Sequence, residues 1–90
     1  MITIRLPRQL WEYADGAQEI TVEEGSLRES FAALKALHPR AYERIFTEPG
    51  ELRVHVNVFV NKRLVRVLEV ANVRLTDGDI VTVMPAISGG

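Results

Sequence analysis

The stretch Ile80-Val81-Thr82-Val83-Met84-Pro85-Ala86-Ile87-Ser88-Gly89-Gly90 joins two unlike pieces of chain. Ile80 to Met84 reads as a regular strand with Val81 and Val83 pointing inward. Pro85 has no N–H to donate to a ladder and is expected to stop the pairing there. The six residues from Pro85 on carry no charged side chain and finish on two glycines, which lack a Cβ and leave that end thin. Such a terminus fits a narrow channel, with nothing beside the final carboxylate to hinder attack at its carbon. A loose, inert end is the competing explanation, so the tail gains meaning only from the body that precedes it.

Working outward, Thr76-Asp77-Gly78-Asp79 is a polar turn leading into that strand. Arg53 to Val60 is the clearest strand of all, with Val54, Val56, Val58 and Val60 on one face and His55, Asn57 and Phe59 on the other. Asn61-Lys62 turns it into Arg63 to Val67, a shorter and more exposed strand. Leu68 to Leu75 keeps neither period for long and reads as a connector.

At the other end, Ile2, Ile4 and Leu6 alternate with polar residues up to Pro7, which marks a half-buried strand. A mixed stretch holding Leu10, Trp11 and Tyr13 closes at the turn pair Asp15-Gly16. Trp11 is read as packing that loop in preference to binding a partner. Ala17 to Val22 returns as a second strand with Ile20 and Val22 inward. Ser26 and Glu29 have capping-box spacing, and Leu27, Phe31, Leu34 and Leu37 form one apolar helical stripe. His38 and Pro39 stop that helix. Ala41, Tyr42, Ile45 and Phe46 then allow a short second helical turn over the core, and Thr47-Glu48-Pro49-Gly50 is a turn.

The order β-β-α-β-β-β with one principal helix does not alternate as a doubly wound fold requires. A helix packed across one face of a mixed sheet is expected, with the first and last strands at its centre: an α+β, ubiquitin-like β-grasp. Residues 1–84 would be the domain and 85–90 a flexible tail.

Composition narrows the function. With 47% hydrophobic and 26% charged residues the chain should fold. A net charge of −1 gives no footprint for nucleic acid or an anionic membrane. No apolar run spans a bilayer, and the N-terminus lacks the pattern of a signal peptide, so the cytoplasm is the default location. Cysteine is absent, which removes disulfides, thiolate metal sites and a cysteine nucleophile. His38 and His55 lack metal-ligand spacing, no Gly-x-Ser-x-Gly elbow or phosphate loop is present, and no stand-alone active site can be assembled.

Two stretches, Val56-Asn57-Val58-Phe59-Val60-Asn61 and Asp77 through Gly90, resemble the ubiquitin-like sulfur carriers of the MoaD/ThiS family. The order of elements agrees over nearly the whole chain. The resemblance implies that the chain is no enzyme but the substrate of an E1-like adenylating enzyme, which would use ATP on the Gly90 carboxylate. A sulfur donor would then give a thiocarboxylate, and a biosynthetic enzyme would accept the sulfur. Gly89, Ser88, Ile87 and Ala86 would be tail contacts, and the chain itself would bind no metal or cofactor. Pro39 to Leu52 is longer than in the most compact carriers. That length and the closing Pro-Ala-Ile-Ser-Gly-Gly look more like the carriers that serve a cysteine synthase than those for thiamin, with the large subunit of molybdopterin synthase the next acceptor.

The partner surface is expected at Phe59 and Met84, continuous with Ile87; the contrary reading packs Phe59 under the helix or the loop. Arg53, Lys62, Arg63 and Arg66 cluster in sequence, either to steer an acidic partner or, more simply, to guard a solvated sheet edge. Two rival functions stand: a ubiquitin-like modifier joined through Gly90 to target lysines, and an interaction domain with an inert terminus.

Overall fold

The computed structural model describes residues 1–66 and 72–85. Its main sheet has five strands in the order β2 (Glu19–Val22), β1 (Ile2–Arg5), β7 (Ile80–Pro85), β4 (Val56–Val60) and β5 (Arg63–Val65). Strand β1 (Ile2–Arg5) buries Ile2 and Ile4 fully, and β2 (Glu19–Val22) pairs with it antiparallel, Ile4 opposite Ile20. Their connection is more ordered than its mixed sequence suggests. Arg8–Ala14 forms a 3₁₀ helix that buries Leu10 and Ala14, and Trp11 Nε1 donates to the Leu6 carbonyl at 2.9 Å. Trp11 therefore packs the loop, as read. Asp15 (φ 55°) and Gly16 (φ 86°) then reverse the chain through left-handed backbone, which glycine adopts without strain.

A two-residue strand, β3 (Gly25–Ser26), leads into α1 (Leu27–Leu37). The capping box forms as its spacing predicts. Ser26 Oγ accepts from the Glu29 N–H at 3.0 Å, and Glu29 accepts from the Ser26 N–H at 2.8 Å. Leu27, Phe31 and Leu34 are buried, but Leu37 is 57% exposed. At ~100° per residue Leu37 lies about 80° around the helix from Leu27, off the covered stripe. Ser30 takes the inner position instead, its hydroxyl donating to the Ser26 carbonyl at 3.2 Å.

Pro39 sits at the first turn of α2 (Pro39–Ile45), where its missing N–H costs nothing. This short helix puts Ala41 and Ile45 in the core, and Phe46 follows them. Phe46 meets Phe31 edge-on and Tyr42 face-on, both at 4.8 Å between ring centroids. The segment that looked like added length thus supplies core side chains.

Strand β4 (Val56–Val60) starts later than its valines suggest. Val54 is 98% exposed, not part of the buried face. The Arg53 N–H is held by the Ile45 carbonyl, the Arg53 guanidinium by the Glu43 carbonyl, and the Val56 N–H returns to Arg53, so the chain turns at Val54 before pairing begins. Strand β5 (Arg63–Val65) follows the Asn61-Lys62 turn; Val67, expected at its end, lies outside the described residues. The stretch read as a connector is also partly outside them. Its end is β6 (Arg74–Leu75), paired with β3, with Val73 and Leu75 buried. Two residues are too few to show a period.

Strand β7 (Ile80–Pro85) is central, parallel to β1 and antiparallel to β4. Val81 and Val83 face the helices, fully buried. Pairing runs one residue further than expected, since Pro85 stands opposite Val56 as the last position of the ladder. The arrangement is the β-grasp plan. Phe31→Ala should cost about 3–5 kcal/mol by opening a cavity beneath α1 and unpairing the Phe46 ring. A urea denaturation midpoint equal to that of the parent chain would contradict this packing.

Candidate functional site

The tail positions expected to carry the chemistry, Ala86, Ile87, Ser88, Gly89 and Gly90, lie outside the described residues. What the structure defines is their root and the surface beside it. The root is β7, paired with β1 as far as Thr82 and with β4 as far as Pro85.

Register fixes which side chains share the uncovered face of the sheet. Val58 and Val60 point to the helices, so Phe59 between them points away. Phe59 stands opposite Thr82 on one side and Leu64 on the other. Met84, two residues beyond Thr82, shares that face and stands opposite Asn57. Phe59 is half-buried, whereas Leu64 and Met84 are 50% and 47% exposed. Phe59 and Met84 are therefore brought to one face, and the reading that puts Phe59 beneath the helix fails. Leu64 was not singled out from the sequence, although the Asn61-Lys62 turn places it across from Phe59. Thr82 continues the row to Arg5, whose Nε donates to Glu19 Oε2 at 2.8 Å.

The expected basic cluster separates. Arg53 lies ahead of the turn that precedes β4, bonded to the Glu43 carbonyl at 2.8 Å, while Lys62 and Arg63 lie past the far end of β4. Two cations of α2 gather on Tyr13. Arg44 and Arg40 both sit over the Tyr13 ring, at 4.2 and 5.2 Å. With Leu10, Tyr13, Val56 and Pro85, Arg44 lines a groove of about 310 Å³ at the strand end. His38 Nδ1 is 3.8 Å from Asp15 Oδ2, and His55 lies on the groove rim. Among the described residues no group of three or more His, Asp or Glu side chains could hold a metal ion.

Before β7 the chain is locked by Asn61, which adopts left-handed backbone (φ 56°). Its N–H donates to the Ile80 carbonyl at 2.7 Å, its side-chain oxygen accepts from the Ile80 N–H at 3.0 Å, and its amide donates to Asp79 at 3.1 Å. Asp79 also accepts from the Thr76 N–H at 2.9 Å. The Thr76 backbone bond first, then the Asn61 amide, hold the Asp79 carboxyl below its ordinary pKa. A lowered folded-state pKa favours the ionised form on folding. That contribution is complete above the unfolded carboxylate value near ~4 and is lost as pH falls through the folded value. Asp79→Asn should flatten the fall in thermal midpoint between about pH 5 and pH 3; a slope as steep as the parent's would remove Asp79 from that transition.

The sequence matches the ThiS family over residues 4–90. It is 30% identical over 91 residues to the sulfur carrier protein CysO of Mycobacterium tuberculosis, covering 99% of this chain and 98% of that one. The crystal structure of that CysO superposes with a TM-score of 0.85 at 28% identity, covering 97% of this chain and all of the other. The structure of an Amycolatopsis orientalis BexX/CysO complex gives a TM-score of 0.85 at 26% identity, with both chains covered in full. SAMP1, the small archaeal modifier protein 1 of Haloferax volcanii, gives 0.76 at 27% identity over 99% of this chain and 98% of its own.

Proposed function

Because this chain belongs to the ThiS family, we propose that its Gly90 carboxylate is adenylated by an E1-like enzyme and then converted to a thiocarboxylate that donates sulfur. The coarser statement needs no proposal: it is a sulfur carrier protein of the ThiS/CysO type. The observation that carries the finer one is the match to this family through residue 90, joined to a fold that anchors the root of the tail at the centre of its sheet.

The chemistry follows from what a carboxylate lacks. Direct substitution would have to expel oxide, whereas an acyl-adenylate expels AMP. Sulfur arriving at the acyl carbon forms a C–S bond as the C–O bond to AMP breaks, with no change in oxidation state at that carbon. ATP belongs to the activating enzyme. The chain is then a substrate and carrier, and a protein without cysteine can still hold sulfur. In this reading residues 1–84 are the body and 85–90 the tail, with Gly90 the loaded residue and Gly89, Ser88, Ile87 and Ala86 its contacts in the partner's channel. The acceptor we favour is a cysteine synthase, in keeping with the CysO relatives, followed by the large subunit of molybdopterin synthase.

Phe59, Leu64 and Met84 are the docking surface in this proposal. They form an apolar run on a rigid face beside the tail root, of the kind that excludes water when covered. The likeness to an Amycolatopsis CysO found in complex with BexX supports a partner for chains of this shape. A second reading, conjugation of Gly90 to lysines of target proteins, is supported by the likeness to a small archaeal modifier. The acyl-adenylate is common to both, and the nucleophile decides between them.

Incubation with ATP, a sulfide donor and an extract of the native host should raise the intact mass by the difference between sulfur and oxygen. Deleting Gly90 should abolish that shift and leave the thermal midpoint unchanged. Lysine-linked adducts without the shift would favour the modifier; neither product would leave the terminus inert. Met84→Glu, which sets a charge on an exposed position, should slow loading several-fold without altering stability. Loading at the parent rate would take Met84 out of the docking surface.

A further inference from the structure

The groove at the end of β7 lies on the helix side of the sheet. Leu10 comes to it from the 3₁₀ helix, Arg44 from α2, and Val56, Val83 and Pro85 from the two strands. Val56 and Val83 belong to the buried face, so an apolar occupant would extend the core. A polar pocket of about 330 Å³, lined by Glu43, Arg44, Arg53 and His55, adjoins it, with Arg44 and His55 common to both. Its guanidiniums are held in place. Arg44 lies 4.2 Å from the centre of the Tyr13 ring, and Arg53 Nε donates to the Glu43 carbonyl at 2.8 Å. Among the lining residues these two cations face one carboxylate, Glu43, which leaves a place for a further anion.

The occupant that fits both sites has an apolar side chain a few residues from an anionic group. The chain supplies a segment of that description. Residues 86–90 start from Pro85, itself in the groove wall, and carry no charged side chain. Ile87 is their large apolar residue, and the Gly90 carboxylate is their anion. Val81 and Val83 face the helices, and an extended continuation of that alternation turns Ile87 to the same side. A span of at most about 18 Å confines the segment to surfaces around Pro85. So short a tether sets an effective concentration on the order of millimolar, at which weak contacts suffice.

We propose that this groove is the resting site of the chain's own tail, with Ile87 seated among Leu10, Val56 and Val83 and the Gly90 carboxylate paired with Arg44 and Arg53. The inference rests on the reading that Gly90 carries the free carboxylate on which activation acts. No covalent bond changes. Seating the tail withdraws that carboxylate from solvent, so an activating enzyme must offer the tail a better channel before it can act. A thiocarboxylate keeps the negative charge and returns to the same pocket. The groove thus holds the tail between encounters, and each partner competes with it for the same five residues.

The test uses the unactivated full-length chain and needs neither ATP nor sulfur. The chain has no cysteine, so Ser88→Cys gives a single site for a nitroxide label, and alternation turns that side chain away from the groove. The amide signals of Leu10, Tyr13 and Arg44 should lose most of their intensity, and those of Phe59 and Leu64 much less. Ile87→Asp, a change in the tail alone, should restore the lost intensity several-fold. Arg44→Glu should do the same, with the thermal midpoint showing that the variant is folded. Without any label, Ile87→Asp should also shift the amide resonances of Leu10, Tyr13 and Arg44. Broadening that favours Phe59 and Leu64, or no shift from Ile87→Asp, would overturn the proposal. Equal broadening when spin-labelled chain is mixed with isotope-labelled chain would also overturn it, since a second copy would then fill the groove. Sulfur loading in host extract is read separately by mass. A chain that loads while its tail never seats refutes only the resting site, and one that seats but never loads refutes only the activation reading.

Discussion

The structure depends on one strand being hydrogen-bonded along both edges. β7 lies between β1, to which it runs parallel, and β4, to which it runs antiparallel. Parallel pairing of the first and last strands forces everything between them to cross over, and α1 makes that crossing on one face. Burial then fixes the register. A slip of one residue would turn Val81 and Val83 toward solvent and bring Thr82 and Met84 against the helices. The constraint that stabilises the core therefore also decides that Phe59, Leu64 and Met84 face outward.

Among the described residues α1 and α2 cover one side of this sheet. α1 and α2 meet through Phe31, Tyr42 and Phe46, and the aromatic cluster closes the layer over the strand ends. The opposite side is left as a mixture of apolar and charged side chains. Its two edge strands are short and carry Glu19 and Arg63 at exposed positions, which discourages a stray strand from pairing there. Chain association is thereby directed away from the edges and toward the face.

Local patterns were legible in the sequence and long-range ones were not. The alternation of Ile2 to Leu6 and of Ile80 to Met84, the Ser26–Glu29 capping box and the Asp77-Gly78 turn depend on near neighbours, and the structure has them where the spacing puts them. Val54 fits the valine alternation, yet the bonds from Arg53 to Ile45 and Glu43 end that alternation from outside the segment. Leu37 satisfies a helical count but finds nothing packed over it. Arg74–Leu75 pairs with residues nearly fifty positions away, which no local window sees. The proposed docking face was half legible: Phe59 and Met84 follow from alternation, whereas Leu64 needs the register across the hairpin. The chemistry proposed for Gly90 rests on likeness to a family, because two glycines alone specify no reaction.

The geometry also limits how a carrier of this design can work. Residues 86–90 span at most about 18 Å when fully extended. A partner docked on Phe59, Leu64 and Met84 must therefore hold its reacting centre within that reach of Pro85. Partners that all docked on those three side chains would compete for them. Activation and delivery would then be successive encounters on one surface, each requiring the previous partner to leave. Affinity at that surface is bounded from above by turnover, and an apolar run of three side chains with no buried ion pair suits a contact that must form and dissolve in every cycle.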